Sequence, residues 1–224
     1  MANPVVLLHG FTGSVRSTWQ PTGLIDLLAD VGRECVAIDL PGHGASEQKS
    51  HDPDDYTNLE QELLKRLPDG PLDGVGFSAG ARILLVMASL EPSRWDKLVV
   101  AGVGQNLFVK DQGRGERIAR GVAGNAAQDD PMAQAFSRYA SEPGQDADAM
   151  AAFMRRRHAK LSTDELANIT APTAVVLGTN DFAGPAEPLV DALPNATLHS
   201  LRNVDHFATP KDFGFIDAVL SHLG

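Results

Sequence analysis

Short, almost continuously apolar runs alternate along the chain with longer segments whose apolar residues recur every three or four positions. "PVVLLHG" over 4–10, "ECVAIDLPG" over 34–42, "LDGVGFS" over 72–78, "KLVVAGV" over 97–103, "TAVVLGT" over 173–179 and "ATLHSL" over 196–201 read as strands, the first closed by Gly and the second by Pro-Gly. Between them, "GLIDLLADVG", "YTNLEQELLKRL", "ARILLVMASL", "AEPLVDAL" and "KDFGFIDAVLSHL" carry helical spacing. "ARILLVMASL" is apolar on most faces, which predicts deep burial. Strands without polar alternation, each followed by a helix, predict a parallel sheet covered on both faces.

The stretch from about 104 to 170 breaks this rhythm. It is rich in Ala, Arg, Asp, Gln and Met and shows no strand pattern. "RGERIARGVAG" and "DADAMAAFMRRRHAKL" are its expected helices. It is too long for an ordinary crossover, so it is expected to be a helical cap over the strands' C-terminal edge, where such sheets bind ligands. With no internal repeat or low-complexity linker, one domain spanning 1–224 is expected.

Composition narrows the function classes. Twenty-nine acidic against nineteen basic residues give a net charge of -10, which disfavours binding along a nucleic-acid backbone. The single cysteine, Cys35, cannot form an internal disulfide and is read as a small buried apolar residue on its strand. The seven histidines show no H-E-x-x-H spacing, so no metal is expected. There is no basic, then apolar leader at the N-terminus, and no apolar run approaches the ~20 residues that cross a bilayer. These features predict a cytoplasmic protein acting on a small molecule, without a nucleic-acid partner or a membrane span; oligomeric state is left open.

Chemistry enters at "GFSAG", 76–80. Ser78 falls between a predicted strand and a predicted helix, the context that makes G-x-S-x-G a nucleophile elbow. The helix beginning beyond it aims its free N–H groups at the same place. A serine needs a base and a group to orient that base. Asp181, in "GTNDF", and His206, in "NVDHF", follow two later strands and so belong to the same sheet edge. Asp205 competes as the partner of His206, but adjacent loop residues rarely face each other, so Asp181 is expected to be the orienter. "HGFTGS" at 9–14 follows the first strand; the backbone N–H groups of Phe11 and Ala79 are the expected oxyanion donors.

With those segments in hand, the chain resembles the α/β-hydrolase fold family, through "HGF", "DLPGHG", G-x-S-x-G, "GTND" and "DHF" in that order. The resemblance covers essentially the whole chain. It implies an α/β sheet, mostly parallel, of about six strands, because the chain enters almost directly into "VVLLHG" without the hairpin that often opens such folds. It also implies a Ser78–Asp181–His206 triad and hydrolysis of a small carboxylic ester or thioester through an acyl-enzyme, with no cofactor. Serine at 78 argues against the dehalogenase and epoxide-hydrolase branches, which use a carboxylate there.

"HGFTGSVRSTW" and "GFSAGAR" are locally similar to the succinyl-hydroxycyclohexadiene-carboxylate synthases of menaquinone biosynthesis. That likeness implies a different reaction, pyruvate elimination with the triad as base, and a carboxylate-binding role for Arg82. The segment after the fourth strand and the short insertion depart from that family. Arg82 equally fits a scaffold ion pair, and a non-catalytic receptor is a third use of the fold. His9 and His43 are read as structural hydrogen-bonding groups, and His51 and His158 as solvated. "RRRH" at 155–158 reads as a solvated helix face. Met132, Phe136, Met150, Phe153 and Met154 form an apolar stripe, either packing of the insertion or an acyl pocket.

Overall fold

A computed structural model describes residues 2–109, 113–142 and 144–224. Six strands form one parallel sheet: β1 (Val5–Leu8), β2 (Cys35–Ile38), β3 (Leu72–Phe77), β4 (Trp95–Ala101), β5 (Thr173–Gly178) and β6 (Ala196–Leu201). Their spatial order is β2-β1-β3-β4-β5-β6. From β1 the chain moves outward to β2, then crosses back to lay β3 on the other side of β1. The crevice between β1 and β3 is therefore the point where the winding reverses, and their paired ends, Leu8 against Gly76, define where a ligand site opens.

Strand residues alternate between two cores, as the period of two requires. Val6, Leu8, Leu98, Val100 and Val175 face one, which also holds Leu63, Ile83 and Leu84 from helices α2 (Leu59–Arg66) and α3 (Ala79–Leu90). Val5, Leu7, Val75, Val99 and Val176 face the other, filled by Leu24 and Leu28 of α1 (Leu24–Asp30) and Phe215 and Val219 of the C-terminal helix (Phe213–Leu223). As its all-round apolar pattern predicts, α3 is buried along most of its length.

The two edge strands differ from expectation. β2 is half-buried throughout rather than fully buried, and Cys35 is accordingly part-exposed, because β2 has a neighbour on one side only. β6 is mostly exposed for the same reason.

Between β4 and β5 the described residues form four α-helices: α4 (Arg114–Arg120), α5 (Pro131–Ala140), α6 (Ala147–Arg155) and α7 (Thr163–Ala167). α5 and α7 are additional to the two helices that the sequence pattern predicts, and each carries a legible start. Asp130 caps α5 by accepting from Ala133 N–H at 2.9 Å, and Pro131 occupies its first turn. Ser162 and Glu165 form a capping box at α7. A further short α-helix, α8 (Glu187–Ala192), follows β5, and the C-terminal helix is α9. Among the described residues no helix is long and apolar enough to cross a membrane.

The contact that sets the geometry of the site is between α3 and the end of β1. A Cβ on Gly80 would overlap the carbonyl oxygens of Leu8 and His9, and one on Gly76 would lie 2.6 Å from Ala81 Cα. Only glycine lets the first turn of α3 press this closely. Gly80→Ala is expected to destabilise the protein by about 2 kcal/mol or more, lowering Tm by roughly 4–8 °C. Gly115→Ala, whose methyl would meet only Met154 Sδ at 3.9 Å on α4, should leave Tm unchanged or raise it slightly. Thermal unfolding followed by circular dichroism distinguishes the two.

Candidate active site

Ser78 occupies the one-residue turn between β3 and α3, with φ 53° and ψ -113°. For a non-glycine residue this is a strained conformation. It is held by a hydrogen bond from Ser78 N–H to Ala101 O at 2.8 Å and by the start of α3 immediately beyond. The result is a hydroxyl lifted off the sheet edge.

His206 reaches it from the loop after β6. Its Nε2 lies 2.9 Å from Ser78 Oγ, and its Nδ1 lies 2.9 and 3.0 Å from the two carboxylate oxygens of Asp181. The carboxylate fixes the proton on Nδ1, leaving Nε2 free to accept from the serine. Asp181, from the loop after β5, also accepts from Ala183 N–H at 2.8 Å, which locks its orientation. Both His206 and Asp181 are buried. Asp205 is exposed and instead caps its own loop through Ala208 N–H at 2.9 Å. The two aspartates thus differ in direction: Asp181 lies against the His206 ring, while Asp205 bonds within its own loop.

Aromatic rings pack on His206, a feature not read from the sequence. Phe182 lies with its centroid 4.2 Å from the imidazole and Phe77 at 5.0 Å, with Phe207 edge-on at 5.6 Å. Phe182 in turn carries the Arg114 guanidinium at 4.7 Å from its centroid. The two residues beside the acid and base, "DF" and "HF", are the trace this packing leaves in the sequence.

The loop after β1 passes beside Ser78. Gly10 O accepts from His9 Nδ1 at 2.8 Å and from Gly13 N–H at 3.0 Å, so the Gly10–Phe11 peptide is fixed on its carbonyl side. His9 Nε2 accepts from Leu40 N–H at 2.9 Å, which assigns the remaining ring proton to Nδ1. Burial holds the His9 pKa below its ordinary value, consistent with a neutral ring. His43, also fully buried, donates to Pro41 O at 3.0 Å, and burial beside His9 pushes its pKa down to about 3. Both histidines are structural, as expected. Among the described residues the Phe11 N–H meets no protein acceptor. Ala79 is the first residue of α3, so its N–H has no partner within the helix.

Ser78 is shared by two cavities, divided by Phe11 and Phe136. One is lined by Thr12, Tyr139, His206 and Phe207. The other is lined by Ala79, Arg82, Leu107, Arg114, Met154 and Phe182. The apolar stripe therefore splits: Phe136 and Met154 face cavity, while Met150 and Phe153 are core. Arg82 is half-buried and donates to Ala159 O at 2.7 Å; burial lowers its pKa and Glu60 opposes that shift. In the "RRRH" segment, Arg156 departs from the solvated face expected of it. It is buried, lies over the Phe153 ring at 3.8 Å and donates to Phe153 O at 2.7 Å, because α6 ends there and needs its carbonyl satisfied. Arg155 pairs with Glu116 at 2.9 Å, and His158 is exposed at the cavity wall.

Residues 5–214 match the model of the alpha/beta hydrolase family, and the chain belongs to that family. It is similar to 2-succinyl-6-hydroxy-2,4-cyclohexadiene-1-carboxylate synthase from Escherichia coli, 37% identical over 114 residues, which are 50% of this chain and 43% of the synthase. The match thus spans less than half the length of that relative. Similarity to a 2-hydroxy-6-oxononadienedioate/2-hydroxy-6-oxononatrienedioate hydrolase from Pseudomonas putida is longer, 29% identity covering 92% of this chain and 82% of the hydrolase. Among solved structures, an esterase from Exiguobacterium antarcticum superposes with a TM-score of 0.77 at 18% identity, covering 99% of this chain and 92% of the esterase, a likeness of fold.

If Asp181 orients His206, Asp181→Asn should slow covalent modification of Ser78 by a fluorophosphonate by about 10³–10⁴-fold, through the wrong imidazole tautomer. Asp205→Asn should change that rate by no more than a few-fold. The reverse ranking would reassign the acid.

Proposed function

We propose that the protein is a serine hydrolase that cleaves a small carboxylic ester or thioester through an acyl-enzyme on Ser78. The observation that carries this reading is the 2.9 Å approach of His206 Nε2 to Ser78 Oγ with Asp181 on the far side of the ring. Ser78 Oγ attacks the acyl carbon as its proton passes to His206 Nε2. Asp181 stabilises the imidazolium so formed. The N–H groups of Phe11 and Ala79 receive the oxyanion, helped by the N-terminal dipole of α3. His206 then protonates the leaving oxygen or sulfur, and water, deprotonated by the same ring, releases the acid and restores Ser78. In this reading the helices between β4 and β5 form a cap within a single domain, and the two cavities divide acyl group from leaving group. No step requires a cofactor.

A second reading rests on a specific observation: Arg82 and Arg114 line the same cavity as Ser78. In a chain of net charge -10, two cations beside the nucleophile favour a carboxylate-bearing substrate. Together with the partial similarity to the synthase, this supports elimination with the triad as base and Arg82 as carboxylate clamp. Arg82 already spends one donor on Ala159 O, which favours a scaffold role and hence the first reading.

Two measurements test this. Fluorophosphonate treatment followed by peptide mass mapping should place the adduct on Ser78; an adduct on Ser14 or Ser46, or none, would overturn the hydrolase reading. Arg82→Met should then alter hydrolysis of p-nitrophenyl acetate and of mono-p-nitrophenyl succinate alike. A loss of about 10–100-fold in kcat/KM confined to the succinate would instead identify Arg82 as a carboxylate clamp, since a charged hydrogen bond is worth roughly 1.5–3 kcal/mol.

A further inference from the structure

We infer that Gln145 is a positioning residue for the oxyanion site, acting through a chain of hydrogen-bonded amides that ends at the Phe11 N–H. This rests on the proposed role of Phe11 as oxyanion donor and adds to it a residue between α5 and α6, far along the sequence from the β1 loop.

The chain can be followed amide by amide. Ser46 N–H donates to His43 O at 3.0 Å. The same His43–Gly44 peptide donates through Gly44 N–H to Gln145 Oε1, also at 3.0 Å. Gln145 Nε2 donates to Thr12 O at 3.1 Å, with Gly13 O further away at 3.4 Å. The Thr12–Gly13 peptide donates through Gly13 N–H to Gly10 O at 3.0 Å. Gly10 O belongs to the peptide whose N–H is that of Phe11. Every unit accepts on its oxygen and donates from its nitrogen in the same sense, so each polarises the next and the sum falls on the Phe11 N–H. His9 Nδ1 adds a second donor to Gly10 O at 2.8 Å.

The side-chain amide is fixed in orientation by its partners. Gly44 N–H can only donate and Thr12 O can only accept, so oxygen and nitrogen of Gln145 cannot exchange. The relay also holds a strained residue, since Thr12 has φ 62° without being glycine. Its carbonyl is the one that Gln145 grips. The amide accepts on its oxygen and donates from its nitrogen as one neutral, planar group. A carboxylate at 145 would keep the bond from Gly44 and present a repelling oxygen to Thr12 O. An apolar side chain would lose both.

The contribution is a share of the oxyanion interaction rather than the whole. Loss of one oxyanion donor typically costs 10²–10³ in rate, and polarisation along a chain supplies a fraction of each bond. The oxyanion exists only in the transition state and the tetrahedral intermediate, so the effect falls on kcat and not on KM.

The experiment compares wild type, Gln145→Ala, Gln145→Glu and Gln134→Ala in hydrolysis of p-nitrophenyl acetate, with Tm measured for each. Gln134 is the control, because among the described residues its amide bonds to Ala127 O and Gln128 O beside α5, away from the β1 loop. Expected are a fall in kcat of about twofold to eightfold for Gln145→Ala, at least as large for Gln145→Glu, and KM unchanged from wild type for both. Gln134→Ala should leave both constants unchanged. Should Gln145→Ala fail to fold, Gln145→Glu decides, since it keeps the Gly44 bond. Wild-type kcat in Gln145→Glu, or a rise in KM with kcat unchanged, would overturn the relay while leaving the hydrolase reading intact. Failure of wild type itself to react with fluorophosphonate at Ser78 marks failure of the hydrolase reading, and the relay falls with it.

Discussion

The first turn of α3 lies against the carbonyls that end β1, closer than any side chain at position 80 would allow. That approach brings three things to one point. It forces Ser78 into a turn of a single residue at φ 53°, so the hydroxyl has nowhere to go but outward. It aims the open N–H groups of α3 at the same space. And it puts the 9–14 loop alongside, because β1 and β3 are neighbours in register, Leu8 against Gly76. The serine, the dipole and the Phe11 peptide are together because two strands separated by more than sixty residues of sequence pair at the point where the sheet changes winding direction.

Around this point the protein removes freedom from each polar group. His206 has one nitrogen on Asp181, the other on Ser78, and phenyl rings packed on it. Asp181 is itself held by Ala183 N–H. The Gly10 carbonyl has His9 and Gly13 as partners, and His9 stays neutral because burial makes its charged form costly. Groups that need no reorientation when charge develops stabilise it more effectively than groups free to turn. The arginine-lined cavity stands apart from this set: Arg82 and Arg114 line it beside Ser78, and Arg82 is tied to the carbonyl of Ala159 rather than to the triad.

Much of this was legible in the chain because the signals are local. Short apolar runs mark the six strands; "GFSAG" between strand and helix places Ser78; the positions of Asp181 and His206 after successive strands place them on one edge. What stayed hidden depends on neighbours distant in sequence. The exposure of β2, and with it Cys35, follows from strand order, which the apolar content of "ECVAIDL" does not encode. The burial of Arg156 follows from where α6 stops against the core, although "RRRH" looks like a solvated face. α5 and α7 leave little trace among Ala, Gln and Asp because their apolar stripes are narrow, yet their caps, Asp130-Pro131 and Ser162 with Glu165, are readable. Gln145 carries no motif at all; its significance is set entirely by the two backbone groups it bridges.

Under the proposed function, charge generated on a Ser78-bound tetrahedral centre is received by Phe11 and Ala79 at the junction of β1, β3 and α3. A crystal structure of the phosphonylated protein tests it directly, because the phosphonate copies that centre. Phosphorus is expected on Ser78 Oγ, with one phosphonyl oxygen about 2.7–3.1 Å from both the Phe11 and the Ala79 nitrogens and Asp181 still bonded to His206. A phosphonyl oxygen turned away from both nitrogens, or an adduct on another residue, would contradict it.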